Sequence, residues 1–184
     1  MPNPFQGPVK HLVNPALFIS GKRFIAFSGP KCFVAIPFNT FHAEIFRSYA
    51  RWMTPVAVIP MDTPKEAIEE LEYAVNVLGL RAMTFSLVRR PIPSIHRTHP
   101  QFDRMAHRLE TFGIDSDYDY DPVWAKCQEL KVAATFHSTA MAWPRFGSIS
   151  NYVYNHIGSL ALCNQYLAKA LFLGGVTRRF PGLR

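Results

Sequence analysis

The chain is poor in cysteine, in charge and in long apolar runs, and each shortage argues against a class of protein. It has three cysteines, Cys32, Cys127 and Cys163, in 184 residues. No two form a Cys-x-x-Cys pair, so neither a disulfide framework nor a zinc finger is supported. Sparse, odd-numbered cysteine fits a reducing compartment, and the expected location is the cytoplasm. Charged residues are 18% against 48% hydrophobic, a globular composition and not a disordered one. The most apolar region, Phe24–Phe41, is broken by Pro30, Lys31 and Pro37, too interrupted to cross a membrane. The first residues, Met1-Pro2-Asn3-Pro4-Phe5-Gln6-Gly7-Pro8, lack the basic-then-apolar order of a signal peptide. No internal repeat or low-complexity tract stands out. The net charge of +7 permits an anionic partner. The basic residues come mostly as pairs (Lys22-Arg23, Arg89-Arg90, Arg178-Arg179), with no basic stripe, which argues against a nucleic-acid surface.

What is present reads as alternating strands and helices. Arg23–Ser28 and Cys32–Ile36 are candidate strands around the turn Ser28–Lys31. Ala43–Met53 carries Ile45, Phe46, Tyr49 and Trp52 on one side of a helix, stopped by Pro55. Val56–Pro60 is a short buried strand. The strongest local signal follows. Thr63 is a good N-cap, Pro64 takes the first helical position and Glu66 completes a capping box. Ile68, Leu71, Val75 and Leu78 recur at helical spacing, and Gly79 closes the helix. Leu80–Phe85 is the next strand, giving a strand–helix–strand unit typical of a parallel sheet.

Arg89 and Arg90 follow that strand and are candidates to grip a carboxylate or phosphate; a solvated loop is the equal alternative. His96 and His99 form a His-x-x-His flanked by Pro93 and Pro100, a spacing more often incidental than metal-binding. Phe102–Phe112 reads as a helix. Asp115–Asp121 holds four acids but lacks the glycine turn and distal glutamate of a calcium loop. Asp121 reads as an N-cap before Pro122, and the helix to Leu130 buries Val123 or Trp124, Cys127 and Leu130.

Val132–Phe136 is then a buried strand ending on His137. In parallel α/β folds the C-terminal strand ends carry the chemistry. A histidine there serves as a metal ligand, as an acid–base group, or as a core residue bonded to backbone. Ser138–Ser150 is a loop suited to substrate contacts. A long helix spans 151–173, with Val153, Ile157, Leu160, Ala161, Leu167, Ala168 and Leu171 as its apolar face, ended by Gly174-Gly175. Arg179–Arg184 reads as the lead into another strand, which suggests a truncated domain.

Several of these motifs, in this order, resemble one family. Thr54-Pro55-Val56-Ala57-Val58-Ile59-Pro60-Met61, Glu66-Ala67-Ile68-Glu69-Glu70-Leu71-Glu72 and Gly79-Leu80-Arg81-Ala82 look like the middle of the amidohydrolase-related proteins. These are metal-dependent TIM-barrel hydrolases and decarboxylases akin to aminocarboxymuconate-semialdehyde decarboxylase. Asp119–Cys127 resembles their helix before the fifth barrel strand, and Phe136-His137-Ser138 their metal-binding strand end. Asn151–Gly158 and Leu171–Val176 resemble the helix that follows. The resemblance covers residues 43–184, and residues 1–42 form a divergent N-terminal segment.

The resemblance implies an α/β fold built as a partial (β/α)8 TIM barrel, about half of one. It implies His137 as a ligand of one divalent metal, zinc by preference, where the site is completed. Arg89, Arg90, Arg145 and Tyr152 are candidate substrate contacts, and Ser138, Asn155 and His156 candidate supports behind the ligand. No catalytic residue is assigned. The family's first-strand His-x-His is absent here, and its last-strand Asp and sixth-strand catalytic group would fall beyond Arg184. A full barrel takes about 250 residues. The expected function is therefore that of a member or fragment of a metal-dependent hydrolase or decarboxylase acting on a small-molecule substrate, inactive as this chain. The alternative is a non-catalytic protein that self-associates or binds a complementing chain.

Overall fold

The computed structural model describes residues 32–102, 106–137 and 148–184, leaving aside the side chains of 32–34, 159 and 160. The expected strand Arg23–Ser28 and its turn lie outside these residues. The first described element is a helix, α1 (Cys32–Phe46), with Pro37 inside it. This corrects the strand expected over Cys32–Ile36: a five-residue apolar run carries no periodicity of its own, and its continuation into a helix decides its state. The boundary expected between residues 42 and 43 falls within α1. A 3-10 turn, Arg47–Tyr49, replaces the later part of the helix expected to reach Met53.

Strand β1 (Ala57–Val58) and helix α2 (Pro64–Asn76) follow the sequence grammar closely. The Thr63 hydroxyl accepts from the Glu66 amide at 3.3 Å and donates to Glu66 Oε2 at 3.0 Å. Pro64 starts α2 without wasting a donor. Ala67, Glu70, Leu71 and Ala74 face inward, at helical spacing. Gly79, at φ +74°, turns the chain into β2 (Ala82–Phe85) in the left-handed region that glycine enters freely.

β1, β2 and β5 (Ala133–Phe136) form a parallel sheet in the order β1-β2-β5. Val58 lies opposite Thr84, and Phe85 opposite Phe136. Between β2 and β5 the chain makes an antiparallel ribbon, β3 (Arg89–Pro91) with β4 (His107–Leu109), and a short helix, α3 (Pro93–Thr98). Two expectations are corrected here. Arg89 and Arg90 are strand residues, and the helix read over Phe102–Phe112 is a strand at its middle. Helix α4 (Asp121–Glu129) buries Val123, Trp124 and Cys127, with Leu130 partly covered. Its N-cap is Tyr120 and not Asp121. Asp121 is drawn away by the Arg179 fork, whose Nε and Nη2 reach its two oxygens at 2.6 and 2.7 Å.

After β5 the described chain resumes with one π-turn, Tyr154–Gly158, and α5 (Ser159–Leu173), then α6 (Val176–Arg179). α5 buries Cys163, Leu167 and Ala170, while Val153, Ile157, Ala161 and Ala168 are exposed. The expected face is therefore corrected at those four positions: the π-turn shifts the phase of the helical repeat. Gly174 lies against Gly113, where an added Cβ would stand 2.2 Å from the Gly113 carbonyl oxygen. Beyond α6, the Arg184 carbonyl accepts from the Ala134 amide at 2.8 Å, so the segment read as a strand lead reaches the free edge of β5.

The core sits between this sheet and helices α2, α4 and α5. Phe85 is its centre, with ring centroids 5.4 Å from Phe112, 5.6 Å from Trp124 and 5.7 Å from Phe136. Trp124 is 0% exposed and its Nε1 donates to the Phe112 carbonyl at 3.1 Å, so its one polar atom is satisfied. Trp52, by contrast, is 81% exposed.

Candidate active-site face

Parallel pairing points the C-terminal ends of β1, β2 and β5 in one direction. The residues just past those ends are Ile59, Ser86 and His137. The His137 amide donates to the Phe85 carbonyl at 3.0 Å, and its own carbonyl accepts from Ser86 Oγ at 3.0 Å. Its backbone is thus tied to β2, while the imidazole is exposed. β5 places this histidine at the strand end that the sequence indicated.

A catalytic zinc-like site takes three protein ligands with an open position. Among the described residues no cluster of three His, Cys, Asp or Glu could hold a metal ion. The described residues therefore do not fit a catalytic metal.

The built polar feature of this face is centred on Arg90. Its Nε donates to Glu110 Oε2 at 2.9 Å; its Nη2 donates to the Asp62 carbonyl at 2.6 Å and to Tyr120 Oη at 3.0 Å. Tyr120 Oη in turn donates to the Met61 carbonyl at 2.7 Å. The guanidinium also lies over the Tyr118 ring, 5.2 Å from its centroid. Burial pushes the Glu110 carboxyl up, but hydrogen bonds from Ser116, Arg90 and the Thr111 amide outweigh it and hold it below the usual carboxylate range. Burial pushes Arg90 down, and Glu110, Tyr120 and Asp62 outweigh that and raise it. Burial is also the main cause that raises Tyr120. This network pins the β3–β4 ribbon to the loop after β1 and to the start of α4. Glu110 and Tyr120 carry no local mark of their role, because their contacts are made across the fold.

The remaining candidates fall in three places. Arg89 is exposed on β3. Tyr152 stacks on His156, centroids 5.6 Å apart at 14°, and Asn155 clasps Ser148 through its amide, all ahead of α5. Ser138 and Arg145 lie outside the described residues. His96 is within α3 and not in a loop, and His99, its C-cap, sits 2.9 Å from Thr98 Oγ1. In the acidic run, Asp117 pairs with Arg108 and Asp121 with Arg179, which agrees with a surface loop. A cleft of about 760 Å³ lies at the opposite, N-terminal ends of β1 and β2, lined by residues including Arg47, Trp52, Pro55 and Arg81.

No protein-family model matches the chain, and no curated protein matches it. Solved structures do. A 2,6-dihydroxybenzoate decarboxylase from Rhizobium superposes with a TM-score of 0.61 at 19% identity, over 83% of this chain and 43% of that one. A putative amidohydrolase from Staphylococcus aureus gives 0.59 at 18% identity, over 86% and 48%. A dihydroxybenzoic acid decarboxylase from Polaromonas sp. JS666, solved with manganese and the inhibitor 2-nitroresorcinol, gives 0.58 at 20% identity, over 83% and 42%. The chain spans less than half the length of these structures. Its matched residues share the α/β fold of these structures, parallel strands alternating with helices.

Proposed function

We propose that this chain is a member or portion of a metal-dependent, amidohydrolase-like hydrolase or decarboxylase that contributes a segment of about half a barrel. His137 is the residue it brings toward a single divalent metal, zinc by preference, and the substrate class is a small hydroxylated aromatic carboxylate. Arg89, Arg145 and Tyr152 are the side chains offered to that carboxylate; Arg90 is offered only through whatever its bonds to Glu110 and Tyr120 leave open. The compartment is the cytoplasm. The observation that carries the reading is the shared fold together with His137 at the C-terminal end of β5.

With one candidate ligand among the described residues, this chain by itself neither retains a metal in stoichiometric amount nor turns substrate over. Elemental mass spectrometry on the purified protein and on His137→Ala, each assayed for carbon dioxide release from 2,6-dihydroxybenzoate with added manganese or zinc, tests this. The expected result is trace metal and no release in both. One metal per chain, lost in His137→Ala and accompanied by turnover, overturns the inactivity.

A second reading is favoured by one observation, the exposure of large apolar side chains at Trp52, Phe172 and Leu173. Contiguous water-exposed apolar surface marks association sites, and Phe172 and Leu173 adjoin at the end of α5. In this reading the chain self-associates or binds a complementing chain without catalysis. Light scattering coupled to size exclusion checks it, and a monomer at all concentrations rules out self-association.

A further inference from the structure

The outer edge of β1 is not left open. The Val58 amide donates to Asn39 Oδ1 at 2.8 Å, and the Val58 carbonyl accepts from Asn39 Nδ2 at 2.9 Å. On the other side of β1, the Ile59 amide donates to the Thr84 carbonyl of β2 at 2.9 Å. A single side-chain amide from α1 thus takes both backbone groups that a neighbouring strand would use. The second hydrogen of Asn39 Nδ2 goes to Glu70 Oε1 at 2.6 Å, so every polar atom of Asn39 is engaged. Asn39 and Glu70 are both 1% exposed. Glu70 Oε2 is buried with no hydrogen-bond partner.

We propose that Asn39 is a releasable substitute for a sheet neighbour, that neutral Glu70 holds it in place, and that ionisation of Glu70 loosens α1 from the β1 edge. A charged carboxylate buried with one donor and an orphaned second oxygen is costly in low dielectric. The relief available is water, and water reaches Oε2 when α1 lifts. Among the described residues no cation stands ready to replace it. On α1, His42 is bonded to the Phe38 carbonyl and Glu44 lines the cleft at the strand N-termini. From α4, Lys126 pairs with Glu72 and Glu129. β1 carries no titratable side chain. Burial pushes the Glu70 carboxyl up to about 7, with the Asn39 bond a partial offset, which puts the release near neutral pH.

Amide hydrogen exchange read by NMR on the whole chain tests the latch. After correction for intrinsic rates, Val58 protection should fall about tenfold between pH 6 and pH 8. Ile59, bonded to β2, should keep its protection, and Glu70→Gln should make Val58 independent of pH. Carbon-13 titration of the Glu70 carboxyl in the unaltered protein should show a midpoint near 7, and it decides the matter even if the variant does not fold. Constant Val58 protection, an equal fall at Ile59, an unchanged pH response in Glu70→Gln, or a Glu70 midpoint near 4.5 each overturns the proposal.

Discussion

Arg90 and Glu110 face each other across the β3–β4 ribbon, Nε to Oε2 at 2.9 Å, with the Glu110 side chain wholly out of water. A buried pair of this kind is weak evidence of net stabilisation, but breaking it strands a charge. Arg90→Met should therefore cost about 3–5 kcal/mol, read as a drop in the urea midpoint at pH 7. Arg90→Met combined with Glu110→Leu should recover much of that loss. A single variant as stable as the parent would mean that the pair is hydrated in solution.

Glu110 and Glu70 give opposite pH responses. Glu110 is held below the ordinary 4.5, so its contribution is present above that value and is lost as pH falls through the depressed one. Glu70 is raised from 4.5 to about 7, so its contribution is complete below 4.5 and is lost as pH rises toward 7. The Glu70 loss amounts to about 3 kcal/mol. Urea midpoints of the parent should decline from pH 5 to pH 8, while those of Glu70→Gln should stay level.

Thr63→Ala removes a hydroxyl that satisfies the Glu66 amide at the start of α2. The expected cost is about 1 kcal/mol, measured by thermal or urea unfolding. No change would place the capping energy in Pro64 and the buried stripe.

Gly174→Ala should be far worse than an ordinary glycine substitution in a helix end. Its Cβ would meet the Gly113 carbonyl 2.2 Å away, backbone against backbone, so neither side can swing clear. About 1–3 kcal/mol or more is expected. Gly79→Ala has open space and is limited by its positive φ alone.

His137→Ala should leave stability within about 0.5 kcal/mol, because the ring is exposed and its bonds to β2 are made by backbone. Equal urea midpoints would make the variant a clean control for metal content. A large loss would show that the imidazole packs in solution.

The parts of this fold visible in the sequence are those fixed locally. Thr63, Pro64, Glu66 and Gly79 each act within a few residues of themselves, and α2 follows from them. A short apolar run and its polar boundary are enough to put His137 at a strand end. The ribbon was not visible, since His107-Arg108-Leu109 has no alternation and is held by Arg90, 20 residues away from Glu110. Cys32–Ile36 alone does not reveal α1, because a short apolar run is ambiguous between helix and strand. Asn39, the residue that closes β1, carries no local mark of a contact made 31 residues away with Glu70.

The contrast between the two described tryptophans makes the chain its own spectrometer. Trp124 lies in a dry aromatic box against Phe85, whereas Trp52 stands in water. Trp124 should emit at short wavelength and shift red only when the sheet and α4 part. With Trp52→Phe and Trp143→Phe in place, one indole reports the integrity of the core without a label.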